Sequence, residues 1–258
     1  MKEIDEWVTG KVTISIGGAP VDMQMTVPAT PVTVRRMLPV FRQMTNSFVG
    51  VGVGAAEADG KSISCKAGCG ACCRQPVPVS EAEAFDLAEL VENMPEPRRS
   101  EIKARFDKAF GHFAEKGWFA KLDGVAELDK EIRHEVALDY FSEGIACPFL
   151  EDESCSIHEV RPVACREYLV TSPSENCSNP TAASIDMVPI LAKPSTALCA
   201  ITQSKTKGTS VKFVPLITAL EIARQYDEDT TEKTGESWMA DFFSELTHSE
   251  IPGRERDV

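Results

Sequence analysis

Nine residues, "CKAGCGACC" from Cys65 to Cys73, contain four cysteines, and two of them are adjacent. No other stretch restricts the fold as much. Four thiols amid Gly and Lys make a poor pattern for a packed core, although isolated cysteines do serve as small buried hydrophobes. A second set follows at Cys147, Cys155, Cys165 and Cys177, and residues 74–146 between them carry none. The total of nine cysteines is odd and fits a disulfide framework badly. The start "MKEIDEWVTG" shows no secretory signal, and no long apolar run marks a membrane span. The expected compartment is the cytoplasm, where clustered cysteines more often hold metal than pair with each other.

The spacing has a coordination logic. A short gap such as Cys69 to Cys72 lets two thiolates reach one ion from a tight turn, and Gly68 and Gly70 permit the backbone such a turn needs. Backbone N–H groups in that turn can also donate to sulfur. Cys72 and Cys73 point apart because they are neighbours, which favours a multinuclear centre or two sites side by side. Two groups of four thiols would serve two four-coordinate sites or a larger cluster. The adjacent pair tips the reading from zinc toward an iron–sulfur cluster. Lys66, Arg74, Arg161 and Arg166 flank the thiols and are candidates to offset thiolate charge, or are ordinary surface cations.

Charge narrows the partners. The formal net charge of -13 argues against a nucleic-acid or anionic-membrane surface and fits simple solubility. No feature identifies a protein partner. The length of 258 residues suits one domain over 1–258, with 43% hydrophobic residues to build a core.

Local patterns predict a mainly α chain with a small N-terminal β-hairpin. "KVTISI" and "VDMQMTV" alternate around "GGAP" and predict the hairpin over 11–28. Residues 32–48 mix strand and helix signals, with Pro39 weakening a continuous helix, and "VGVGVGAAEADG" reads as a flexible loop. Ser80 and Glu83 have capping-box spacing before a helix carrying Ala84, Leu87, Ala88 and Val91. Ile102, Phe106, Phe110 and Phe113 predict one buried helical face. A helix near 128–143 carries Ile132, Val136 and Tyr140, and a short one starts at Arg161–Pro162. The part after 180 is helical, with helices over 213–226 and 236–247, the last placing Met239, Phe242, Phe243 and Leu246 on one side. The cysteine-bearing core spans 65–177.

The second cysteine group reads "CPFLEDESCSIHEVRPVACREY", followed by Cys177. With Cys-x3-Cys-x2-Cys-Cys upstream, it resembles the YkgJ-type cysteine-cluster family of zinc- or iron-chelating domains. The resemblance implies a metal centre held by Cys65, Cys69, Cys72, Cys73, Cys147, Cys155, Cys165 and Cys177, with a redox role if the metal is an iron–sulfur cluster. The domain also occurs in a bacterial flagellin-lysine methylase, which implies a protein-modifying methyltransferase as the alternative. "GVGVG" over Gly50–Gly54 is a weak likeness to a glycine-rich cofactor loop and lacks its following helix. Metal-dependent oxidation or hydrolysis would need an open coordination position, and a structural zinc would not. Cys199 lies outside the pattern in apolar "STALCAIT" and reads as a buried, inert thiol. His158 sits between two of the cysteines without being required as a ligand. His112 reads as packed or surface, and His134 and His248 as surface.

Overall fold

Alternating apolar residues build the first element. Strands β1 (Trp7–Ile16) and β2 (Ala19–Pro28) pair antiparallel along their whole length. Val8, Val12, Ile14, Val21, Met23, Met25 and Val27 face the core, while Thr9 and Thr26 hydrogen-bond across the outer face at 2.9 Å. A sheet with one dry face requires this period of two. The structure is a computed structural model that describes residues 6–16, 19–125, 128–181, 184–202 and 214–248. The hairpin therefore starts before the expected Lys11, and its expected turn at Gly17 and Gly18 lies outside the described residues.

A short strand β3 (Val32–Thr33) and a 3-10 turn (Val34–Met37) lead into helix α1 (Leu38–Ala58). Two expectations fail here. Pro39 does not weaken the helix. It lies in the first turn, where its missing N–H has no intrahelical partner to lose. Nor is the Val-Gly repeat a loop: residues 49–54 continue α1. Phe41, Met44, Thr45, Phe48, Gly52 and Ala56 form one buried stripe at helical spacing, and tertiary packing overrides the poor helix propensity of glycine. Gly52 has a specific role, since a Cβ there would lie 2.5 Å from the Pro189 carbonyl oxygen. A regular helix across Gly50–Gly54 also removes the likeness to a cofactor-cradling loop.

Strand β4 (Pro78–Val79) precedes α2 (Glu81–Glu92), and the capping box forms as expected, with Ser80 and Glu83 bonded reciprocally. Helix α3 (Arg98–Glu115) buries Ile102, Phe106, Ala109 and Phe113. Phe110 is only half-buried and packs on Phe119 at a ring separation of 4.9 Å, so the stripe passes through Ala109 instead. Then come α4 (Trp118–Leu122) and α5 (Lys130–Ser142). Only the C-terminal half of α5 packs: Tyr140 stacks on Phe113 at 4.3 Å, whereas Ile132, expected on the same face, is 44% exposed.

The remaining elements are short until the last. They are β5 (Leu150–Glu151), β6 (Ser154–Cys155), α6 (Val163–Glu167), α7 (Ser174–Ser178), α8 (Pro194–Thr202), β7 (Val214–Pro215), α9 (Ala219–Gln225), β8 (Glu232–Lys233) and α10 (Gly235–His248). The described residues are mainly α, and every sheet among them is a two-stranded antiparallel pair: β1–β2, β3–β8, β4–β7 and β5–β6. In α10, Met239, Phe242 and Leu246 are buried and Phe243 is half-buried, close to expectation.

Two cores frame the cysteines. One joins the hairpin, α1, α8 and α10 and contains the stacked pair Phe41–Phe242 at 4.8 Å. The other joins α2, α3 and α9 with Phe149 and Ile157, and Cys147 and Cys155 pack against it. No described helix is long and apolar enough to cross a membrane.

Candidate metal centre

The first cysteine loop is shaped by its glycines. Gly68 adopts φ +84, a left-handed conformation that costs glycine little, and its N–H donates to Ser154 Oγ at 3.2 Å. At Gly70 a Cβ would meet Leu150 Cδ1 at 2.6 Å and Glu153 Oε2 at 2.7 Å, so only glycine lets the loop lie flat on the β5–β6 turn. A 3-10 turn over Ala71–Arg74 then presents Cys72 and Cys73, with Cys73 N–H donating to the Gly70 carbonyl at 3.0 Å.

The second segment docks directly on the first. Cys147 N–H donates to the Cys73 carbonyl at 2.7 Å. The β5–β6 hairpin turns through Asp152 and Glu153, both at positive φ (46 and 56), the backbone of a two-residue hairpin turn. Arg74 clamps that turn by donating to both Glu153 oxygens, at 2.7 and 3.0 Å, and to the Gly70 carbonyl at 3.1 Å. Its first role is thus to clip the two segments together. Lys66 is exposed on the loop.

Cys165 rides on α6, which two buried carboxylates hold in place. Glu83 accepts from Ser80 and, at 2.7 Å, from Val163 N–H at the start of α6. Glu167 at its end accepts from Ser195 N–H and Oγ, both at 2.6 Å. Arg166 donates to the Arg161 and Glu159 carbonyls and to Asn46 Oδ1 on α1, fixing the approach to α6. Sequence reasoning finds Glu83 as a cap but misses its bond to Val163, which is 80 residues away.

Eight of the nine cysteines are brought into electrostatic contact. Cys177 interacts most strongly with Cys65, Cys69 and Cys72. Cys65 and Cys69 also pack with Cys177 around Ala71 and Val170. Cys73 interacts with Cys72, Cys147 and Cys165, and Cys165 with Cys147, Cys72 and Cys155. Cys199 stands apart on α8: it is buried, and Glu83 and Glu167, not other thiols, are its charged neighbours. His158 is exposed, His112 bonds Glu143 at 2.8 Å, His134 is exposed, and the side chain of His248 lies outside the described residues. All nine cysteines are free thiols. Among the described residues, no group of three or more His, Cys, Asp or Glu side chains is arranged to hold a metal ion as it stands. Ligation therefore requires the thiols to close in.

The donor set fits a thiolate-bound metal in two respects. First, backbone N–H groups already point at sulfur: Phe149 donates to Cys147, Ile157 to Cys155 and Val170 to Cys65. The first two repeat the same step from residue i to i+2, a pattern the sequence reading placed in the Gly-rich turn instead. Second, Arg161 is a charge neighbour of Cys65, Cys72 and Cys155, and its buried Nε has no partner among the described residues. A buried donor without an acceptor is costly, and a negatively charged metal–thiolate group would supply one. Against these, burial pushes the Cys147 thiol up to about 12 and Cys165 well above the ordinary thiol value. A metal bound there would have to displace those protons. At the adjacent pair, the Cys73 thiol donates to Cys72 sulfur, holding Cys72 low and pushing Cys73 up.

A family model matches residues 64–185, a span that begins one residue before Cys65 and ends beyond Cys177. The matching model is that of the CxxCxxCC family, and the likeness is confined to this segment. The family's description is "Putative zinc- or iron-chelating domain", in agreement with the resemblance carried by the cysteine spacing. No curated protein and no solved structure matches the chain. The segment is thus similar to domains described as chelating zinc or iron. It covers a little under half of the chain and leaves out the hairpin, α1 and α10.

Proposed function

We propose that all eight cysteines, from Cys65 to Cys177, are ligands of one metal centre, that it holds iron–sulfur in preference to zinc, and that it carries electrons in a reducing compartment such as the cytoplasm. The observation that carries this reading is the meeting of thiols from two distant segments around Arg161, whose buried Nε has no acceptor among the described residues. The adjacent Cys72 and Cys73 favour a centre of several metal atoms. The N–H donors at Phe149, Ile157 and Val170 would offset thiolate charge and tune a reduction potential. Arg161 would contribute in the same direction. An iron–sulfur cluster would supply one-electron chemistry, whereas zinc would supply a crosslink between the two segments.

The test is metal and acid-labile sulfide content of the full-length protein purified without oxygen. Iron with matching sulfide is the expected result. Zinc without sulfide would replace the redox role with a structural one. Protein that carries no stoichiometric metal would sink the proposal.

A further inference from the structure

Helix α5 carries no cysteine, yet one of its residues reaches the thiols. Tyr140 is 2% exposed, and two rings hold it. It lies flat on Phe113 at 4.3 Å with 7° between the planes, and Trp118 meets it edge-on at 5.3 Å. These contacts involve no thiol, so the corner sets the ring in place before any metal arrives.

The phenol end opens on a small cleft that it shares with Cys73 and Cys147. Val77, Ile145, Leu216 and Ile217 give the cleft apolar walls. A buried phenol needs an acceptor for its proton. The side chains around this cleft offer two kinds, the Gln75 carbonyl oxygen and sulfur. Gln75 turns its amide to the Tyr168 hydroxyl, to which it donates at 3.0 Å. Cys147, in contrast, is the charged neighbour of the Tyr140 hydroxyl.

Cys147 in turn needs a donor. It packs against the core of α2, α3 and α9. Its charged neighbours are the thiols Cys155 and Cys72, whereas the cation Arg161 stands beside Cys65, Cys72 and Cys155. Phe149 N–H points at its sulfur. A thiolate placed there, away from water and from Arg161, has to draw on neutral donors, and a phenol is one.

We propose that Tyr140 is a positioning residue of the metal centre, its hydroxyl donating to the Cys147 sulfur when that sulfur is a thiolate bound to metal. The inference rests on the metal-binding reading above and adds to it a residue that is not a ligand. A hydrogen bond to a charged sulfur is stronger than one to a neutral thiol, so ionisation of Cys147 draws the bond tight. The bond fixes the direction of Cys147 and withdraws electron density from its sulfur, which raises the reduction potential of a cluster held there.

Cobalt(II) is the probe, because its sulfur-to-metal charge-transfer band reports on the thiolates directly. Full-length protein is stripped under reducing, oxygen-free conditions and titrated with cobalt(II) in competition with a chelator. Tyr140→Phe removes the hydroxyl and keeps the stacked ring. It should bind as many equivalents as wild type, with the band moved to longer wavelength and the affinity weakened about 10-fold, as for other lost partners of metal ligands. Metal-free wild type and Tyr140→Phe should unfold at the same denaturant midpoint, since the bond strengthens only on a thiolate. An unmoved band overturns the proposal, whether or not the metal-free midpoint falls, and leaves metal binding standing. If Tyr140→Phe does not fold, wild type decides. Loaded with an NMR-active cadmium isotope, it should show scalar coupling between cadmium and the Tyr140 hydroxyl proton, and a hydroxyl proton without that coupling overturns the proposal. Wild type that binds no cobalt and carries no metal as purified overturns both readings.

Discussion

Two ends of this molecule are held together by different means. At the α1–α8–α10 end, large apolar side chains interlock: Phe41, Phe48, Leu198, Trp238, Phe242 and Leu246 are all buried, and Trp238 Nε1 donates to the Val32 carbonyl at 2.8 Å. The loop around Cys65 and Cys69 has little of this, although Cys147 and Cys155 pack on the core of α2, α3 and α9. Among the described residues, the cluster around Cys65, Cys69 and Cys177 contains only Ala71 and Val170 as buried apolar residues besides Cys177 itself. Backbone hydrogen bonds, the Arg74–Glu153 clamp and the Gln75–Tyr168 bond at 3.0 Å hold the loops instead. An apolar core stabilises itself by removing surface from water. A region rich in short loops and buried thiols needs another source of stability, and a metal ion bound by thiolates is one. The difference teaches that one end is held mainly by hydrophobic burial, while the other is expected to depend on bound metal.

Removing the metal should break that contrast most sharply. Thiolate–metal binding linked to folding can contribute on the order of 10 kcal/mol. Hydrogen exchange is expected to show amides of 61–75 and 145–180 losing protection on chelation, with α1 and α10 keeping theirs. Equal protection of both regions before and after chelation would remove the contrast. A core truncation should give the opposite pattern. Phe242 is fully buried and stacked on Phe41, so Phe242→Ala should cost about 3–5 kcal/mol of unfolding free energy by denaturant titration, with metal content per folded chain unchanged. Loss of metal in step with that destabilisation would mean that the two ends fold as one unit.

The smallest effect concerns the α3–α5 corner, which depends on neither metal nor the Phe41–Phe242 core. Glu143 accepts from Lys116, from His112 at 2.8 Å and from Trp118 Nε1 at 3.1 Å. Those donors, Lys116 foremost, lower its carboxyl to about 2 from an ordinary 4.5. A carboxylate lowered in the folded state contributes stability above 4.5 that is lost as the pH falls toward 2. Tryptophan fluorescence is expected to report loosening around Trp118 over that range, and Glu143→Gln should flatten the response. An unchanged acid profile in the variant would assign the loosening to another group.

Much of the fold is legible in local pattern. The hairpin follows from strict alternation, the start of α2 from Ser80 and Glu83, and α10 from its apolar spacing, because periods of two and 3.6 residues and end caps act over a few residues. The eight clustered cysteines stand out from sequence for the same reason: unusual residues at close spacing need no tertiary information to be noticed. What the sequence hid depends on partners far along the chain. Glycines 50–54 look like a loop because helix propensity is a local quantity, yet Gly52 must let α1 approach the Pro189 carbonyl. Ile132 has helical spacing, but no element among the described residues buries it.

The sequence by itself therefore determined a mainly α chain, its small hairpin and the list of thiols. The tertiary structure alone decided which thiols face each other. A 3-10 turn leaves the Cys73 thiol bonded to Cys72 sulfur, and one hydrogen bond from Cys147 N–H to the Cys73 carbonyl draws the second segment to that pair. The return of the chain through Val170 and α7 brings Cys177 back to the loop where the cysteines begin. Order along a chain says nothing about such neighbours, because backbone direction at a turn and packing between distant segments set where a side chain ends up.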